Sequence, residues 1–201
     1  MRTRTVLVGG VAALALGAAG CGGASSSSGG SSQAAKPANP NAPEVSPSGD
    51  IPDNQAYVPY APPGAGFSVK VPEGWSRSAS GGATVFTDKL NSIRVESASV
   101  TAPLTVLDVK QSELPKIAKS VKGFQAGAVS AVTRKAGTAI RATYQADAAA
   151  NPVTGKTGRD AVERYVFFHN GKDVILTLTG PKGADNVDPW RIVTDSVAWS
   201  R

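Results

Sequence analysis

The chain is poor in the residues that most often carry chemistry. It has one cysteine, one histidine and one methionine, and aromatic residues make up 6% of it. A single cysteine permits no intramolecular disulfide, so the folded part must be held by its core. One histidine and one thiol cannot supply the three or four nitrogen and sulfur ligands of a zinc site. Transition-metal binding is therefore excluded by counting, and no cofactor is expected. No later apolar run reaches the roughly 20 residues needed for a membrane-spanning helix. No G-x-S-x-G occurs, and a Ser-His-Asp device would have to use His169 as its base. His169 adjoins the pair Asn170-Gly171, where a polar strand-end residue is the plain expectation. No basic run is interleaved with aromatics, so nucleic acid is not an expected partner.

What is present divides the chain into three segments, 1–20, 21–55 and 56–201. The first opens with Arg2 and Arg4, continues as an apolar run over residues 6–16, and closes in small residues, the layout of a secretory signal. Ala18-Ala19-Gly20 before Cys21 resembles a bacterial lipobox, with alanine where leucine is most common. The resemblance implies cleavage between Gly20 and Cys21 and a diacylglyceryl group on the Cys21 sulfur. Anchoring then follows from about 0.8 kcal/mol per buried methylene, with two chains holding stably where one does not. Residues 22–55 are Gly, Ser, Ala, Pro and Asn with almost no large apolar residue before Ile51, a composition that cannot offset its ordering entropy. They are expected to form a leash with a reach of about 30–35 Å.

From Tyr57 onward the texture changes. Phe67-Ser-Val-Lys-Val71 alternates apolar and polar residues, and Pro72-Glu-Gly-Trp75 ends it. Further strands are expected over 83–88, 92–100, 128–134 and 138–146. The clearest element is VERYVFFHNGKDVILTLTG, two β-rich runs flanking Asn170-Gly171, both of which suit the positive φ of a type I′ turn. Helical spacing appears over 105–121, where Pro115 should break or restart the helix. It appears again where Trp190, Val193 and Val197 share a face, with Asp185 or Asp188 as cap and Pro189 early. The sum is an α+β sandwich: a mostly antiparallel sheet of about six to seven strands covered by helices.

GFSVKVPEGWS near the domain start, the late hairpin, and a closing helix with Asp195, Ser196 and Trp199 resemble the PsbP-like superfamily. The similarity is to its actinobacterial LpqN/LpqT-type lipoproteins. The resemblance implies an α/β/α sandwich acting as an extrinsic or adaptor protein, and transfers no catalytic residue.

Other chemistry is thinly supported. Gly155-Lys156-Thr157 lacks the upstream glycine of a phosphate loop, since that position is Ala150, and a strand rather than a helix is expected after it. Asp185, Asn186 and Asp188 do not match a calcium loop, and helix capping explains the same residues. Glu73, Glu96, Glu113 and Glu163 are available for paired-carboxylate hydrolysis but equally suit a surface. The formal charge is +6, of which Arg2 and Arg4 would leave with the signal. Lys116, Lys119 and Lys122, near Lys110, form a candidate partner surface, with a solvated helix face as the bland alternative. Trp75, Tyr144, Tyr165, Phe167, Phe168, Trp190 and Trp199 are candidates to line a cleft for a lipid or glycan, although most must be core, and Trp75 and Trp190 are the candidate ligand or partner surface. The leading expectation is a non-enzymatic binding or adaptor domain, lipid-anchored on the extracytoplasmic face of the cell membrane, with a protein partner in the envelope. Alternatives are a carrier or sensor of a small lipid or glycan, and an envelope hydrolase.

Overall fold

The computed structural model describes residues 48–150 and 155–200. The signal, Gly20, Cys21 and most of the expected leash lie outside the described residues. Strands β1 (Tyr57–Tyr60), β2 (Phe67–Pro72), β3 (Ser76–Ser80), β4 (Ala83–Asp88) and β5 (Asn91–Ser99) lead into a helical segment. Strands β6 (Gln125–Arg134), β7 (Gly137–Asp147), β8 (Arg159–His169) and β9 (Lys172–Pro181) follow, then helix α3 and strand β10 (Ala198–Trp199). The main sheet has seven strands in the order β3-β4-β5-β9-β8-β7-β6, every pair antiparallel. A three-stranded sheet, β1-β2-β10, was not expected and packs with α3 over one face. The protein is α+β, with antiparallel sheets and few helices.

Alternation builds the core. Val174, Leu176 and Leu178 of β9 meet Ile93 and Val95 of β5 and Tyr165 and Phe167 of β8 on one face, all nearly or fully buried. The strand period of two aims each set at the same side. The opposite face carries a smaller cluster of Ala142, Tyr144 and Val162 under Val109 and Leu114. At the β8–β9 turn Asn170 and Gly171 both have positive φ, 47° and 75°, as the sequence predicts.

Pro115 restarts the helix rather than breaking it, falling in the first turn of an α-helical stretch that begins at Leu114. Helix α1 (Val106–Asp108), a π-helical turn (Val109–Glu113) and α2 (Leu114–Ser120) run on without interruption. Proline lacks an N–H and clashes with the carbonyl four residues back; the wider π turn directly before it relieves both conflicts. Thr105 and Asp108 close the start as a reciprocal capping box.

The boundary at residue 55 is corrected. Ile51 is buried, at 5% exposure, and its N–H donates to Asn186 Oδ1 (2.9 Å). The Gly49 carbonyl accepts from the side-chain amides of Asn91 and Asn186, both at 2.9 Å. Gly49 has φ +96° and lies so close to Pro181 that a Cβ would sit 2.4 Å from its ring. Residues 49–51 are thus latched to the domain.

The expected caps of α3 (Val187–Asp195) are corrected too. Asn186 occupies the N-cap position but its side chain bonds Ile51, Gly49 and Asn91 instead of the helix start. Asp185 presents its backbone N–H to Asp50. Pro189, Trp190, Val193 and Thr194 form the buried face.

Asp173 on β9 is the exception on the helix-covered face. It is 3% exposed and its Oδ1 has no hydrogen-bond partner among the described residues. Burial, with a smaller push from nearby Glu113, raises its pKa above the ordinary aspartate value. A raised folded-state pKa means that the native protein binds the proton more tightly, so stability falls as pH rises through that value. Asp173→Asn should raise the unfolding free energy at pH 7 by about 1 kcal/mol. It should also remove the gain that the wild type shows on mild acidification. Urea titrations at pH 7 and pH 5 would measure both, and a destabilised variant at pH 7 would contradict the account.

Candidate functional site

The site lies where α3 crosses the end of the sheet. Gly127, Ala161 and Ala184 are too small to fill the space beneath the helix, and a groove of about 320 Å³ remains. Trp190 forms one wall with most of its ring buried. Val187 forms an apolar lip and is 72% exposed, an unusual placement for a large aliphatic residue beside a groove.

The β6 margin of this groove is shaped by a bulge. Gly127 and Ala128 of β6 together oppose Thr143 of β7, as the register shift between Ala126 and Val129 shows. Thr143 Oγ1 accepts from the Ala128 N–H (2.9 Å) and lies 3.3 Å from the Ala128 carbonyl, replacing lost ladder bonds. A glycine inside a strand pattern is the sequence signal for such a bulge, and sequence reasoning passed over it.

Beside the groove runs a polar chain. Tyr165, 1% exposed, donates to Glu163 Oε2 (2.6 Å) and accepts from Arg134 (2.9 Å). Arg134 also bonds Thr194 (3.0 Å) and faces Asp195 (3.7 Å), which Arg191 approaches at 3.6 Å. Arg141 lies 3.5 Å from Glu163. Burial, then the Glu163 hydrogen bond, raises the Tyr165 pKa, so its phenol stays a neutral donor. Every carboxylate here is engaged by a guanidinium or phenol, which suits fixed walls better than proton transfer.

A second groove, about 400 Å³, lies across β6 on the helix-covered face, between Leu114, Pro115 and Ala118 and strand residues Ala126, Gly127 and Val129. Lys110 lines it. Of the predicted lysines, Lys116 is ion-paired to Glu113 (2.9 Å). Lys119 and Lys122 are exposed and have no acidic partner among the described residues. Trp190 belongs to the first groove. Trp75 does not: it is half-buried against the main core, so the structure does not bring the two tryptophans into one surface. Tyr165 and Phe167 are core, while Tyr144 and Trp190 reach the groove. His169 stacks on Trp199 at 4.8 Å between ring centroids. Gly155-Lys156-Thr157 precedes β8, with no helix after it. Among the described residues no three His, Cys, Asp or Glu side chains cluster for a metal.

Compared with protein-family profiles and with curated proteins, the chain matches none. Solved structures do match. Cyanobacterial PsbP (CyanoP) from Synechocystis sp. PCC 6803 superposes with a TM-score of 0.52 at 14% identity, over 77% of this chain and 98% of that one. The chain has the PsbP-like fold. LpqN, involved in cell envelope biogenesis of Mycobacterium tuberculosis, gives 0.44 at 17% identity over 74% of this chain and 93% of that one. The Saccharomyces cerevisiae Ran-binding protein Mog1p gives 0.44 at 13% identity, over 64% and 78%.

Proposed function

We propose that this PsbP-like domain is a non-catalytic binding or adaptor module, held by lipid on Cys21 at the extracytoplasmic face of a bacterial cell membrane. The observation that carries the binding role is the groove under α3, with its rigid Trp190 wall and exposed Val187 lip. The anchor rests on the sequence before Cys21, and the partner is a protein of the envelope. A small lipid or glycan is the second reading, favoured by the apolar floor of the same groove. Native mass spectrometry of the purified protein separates it, since a discrete small adduct would displace the adaptor reading.

The anchor is tested by fractionation. Wild type should pellet with membranes and incorporate a fatty-acid label, while Cys21→Ser should lose the label and move largely to the soluble fraction. Equal partitioning would sink the anchor. For the adaptor role, a photo-crosslinker at Val187 should trap a discrete protein partner, and one at exposed Leu90 should not. Equivalent patterns from the two positions would remove the groove as the binding surface.

A further inference from the structure

Among the described residues, strand β6 ends the main sheet and pairs only with β7. Along these ten residues its outer row of N–H and C=O groups pairs with no other strand among the described residues. Natural edges are blunted by charge, proline or shortness. The edge strand β1 contains Pro59, and β3 has five residues with Arg77 among them. In contrast, QAGAVSAVTR has no proline and no charge before Arg134. Its one irregularity, the Gly127–Ala128 bulge, ends at Val129, and the register is regular from there to Arg134.

The two grooves flank this edge on opposite faces and share Ala126 and Gly127. We propose that β6 is a docking edge for an extended acidic peptide, which adds to the sheet as a further strand. Successive side chains of an added strand point to opposite faces. One would enter the groove beside Trp190 and the next the groove beside Leu114 and Pro115, with main-chain bonds giving affinity and the grooves giving selectivity.

Charge selects the peptide. Lys110 lines one groove, Lys119 follows Ala118 of its wall, and Lys122 lies two residues before Phe124. None is ion-paired among the described residues, while Glu113 and Glu163 are already engaged. Self-pairing of two β6 strands is disfavoured by the same argument. An antiparallel contact would bring Lys122 of one copy towards Arg134 and Lys135 of the other, like against like.

The inference rests on the reading of the protein as a binding domain, and its test is separable from that reading. The full-length protein is incubated with a synthetic peptide alternating glutamate and valine, or with its lysine–valine counterpart, and backbone hydrogen exchange is followed. The acidic peptide should slow exchange over residues 125–134 about tenfold and leave β3 unchanged. The effect should weaken as salt is raised. The basic peptide should do nothing. Lys110→Glu combined with Lys122→Glu changes exposed side chains only and should abolish the protection without altering the melting temperature. Protection by both peptides, at another strand, or by neither overturns the proposal. So does β6 protection that grows with protein concentration alone, which would mark a second copy as the occupant. If β6 stays silent while crosslinking from Val187 still traps a partner, the adaptor role stands and strand addition falls.

Discussion

Asn186→Ala should lower the unfolding free energy by about 3 kcal/mol, the sum expected when several buried polar groups lose their partners together. The side chain accepts from the Ile51 N–H and donates to the Gly49 carbonyl and to Asn91 Oδ1 (3.1 Å). Truncation orphans the Ile51 donor and the Asn91 acceptor in a site where Asn186 is 3% exposed. For a chain of this size the melting temperature should drop by about 6–12 °C. Asn91→Ala removes two bonds, to Gly49 and from Asn186, against the three of Asn186, and leaves the Ile51 N–H paired, so it should cost less. Because the two residues touch, the double variant should fall short of the sum of the singles. Hydrogen exchange at the Ile51 amide is the local check: protected in wild type, fast in Asn186→Ala. A change within about 0.5 kcal/mol, the range of an ordinary surface substitution, would show that residues 49–51 are not held by this node.

Gly127→Val should cost about 2–3 kcal/mol and close the space between the grooves. A Cβ at this position would lie 2.3 Å from Thr143 Oγ1 and 2.8 Å from the Thr143 carbonyl oxygen. The hydroxyl could rotate away, but the carbonyl is backbone of β7, held to β8 at the Thr143–Glu163 pair, and cannot retreat without moving the strand. Rotation would also surrender the two bonds that Thr143 makes to Ala128. Chemical denaturation measures the cost. Amide shifts should change over residues 125–129 and leave β4 and β5 untouched. A variant as stable as wild type, with β6 shifts unmoved, would mean that the bulge tolerates a side chain and that its glycine serves something else.

The sequence was readable wherever one periodicity acted alone. Phe67 to Val71 and the two arms of the late hairpin alternate because one face of each is core, and Asn170-Gly171 needs no tertiary context to turn. β3 escaped detection because Ser-Arg-Ser-Ala-Ser has no large apolar residue and is exposed throughout, so no alternation marks it; backbone pairing to β4 places it. Pro115 was legible in part, since an α-helical stretch does restart there. Its local rule is sound, but a π turn meets the same constraint without ending the helix. The latch at 49–51 was hidden by composition, since glycine, aspartate and proline read as linker, and Ile51 was the one residue out of character. Within the candidate site, the helical spacing of Trp190 marked a buried face. The Glu163–Tyr165–Arg134 chain could not be seen, because it joins strands whose meeting is settled by the whole sheet order.

The latch also fixes where load enters the molecule. Any pull on the chain ahead of Gly49 is delivered to the hydrogen bonds of Asn91 and Asn186 and to the contact with Pro181. Asn186 and Pro181 themselves line the α3 groove. Tension and recognition therefore meet at one end of the sheet, and a partner gripped there would draw against a short lever arm. Asn91 opens β5 and Pro181 closes β9, so the load reaches only the ends of two neighbouring strands, and the joint should yield by peeling residues 49–51 away before the sheet itself begins to open.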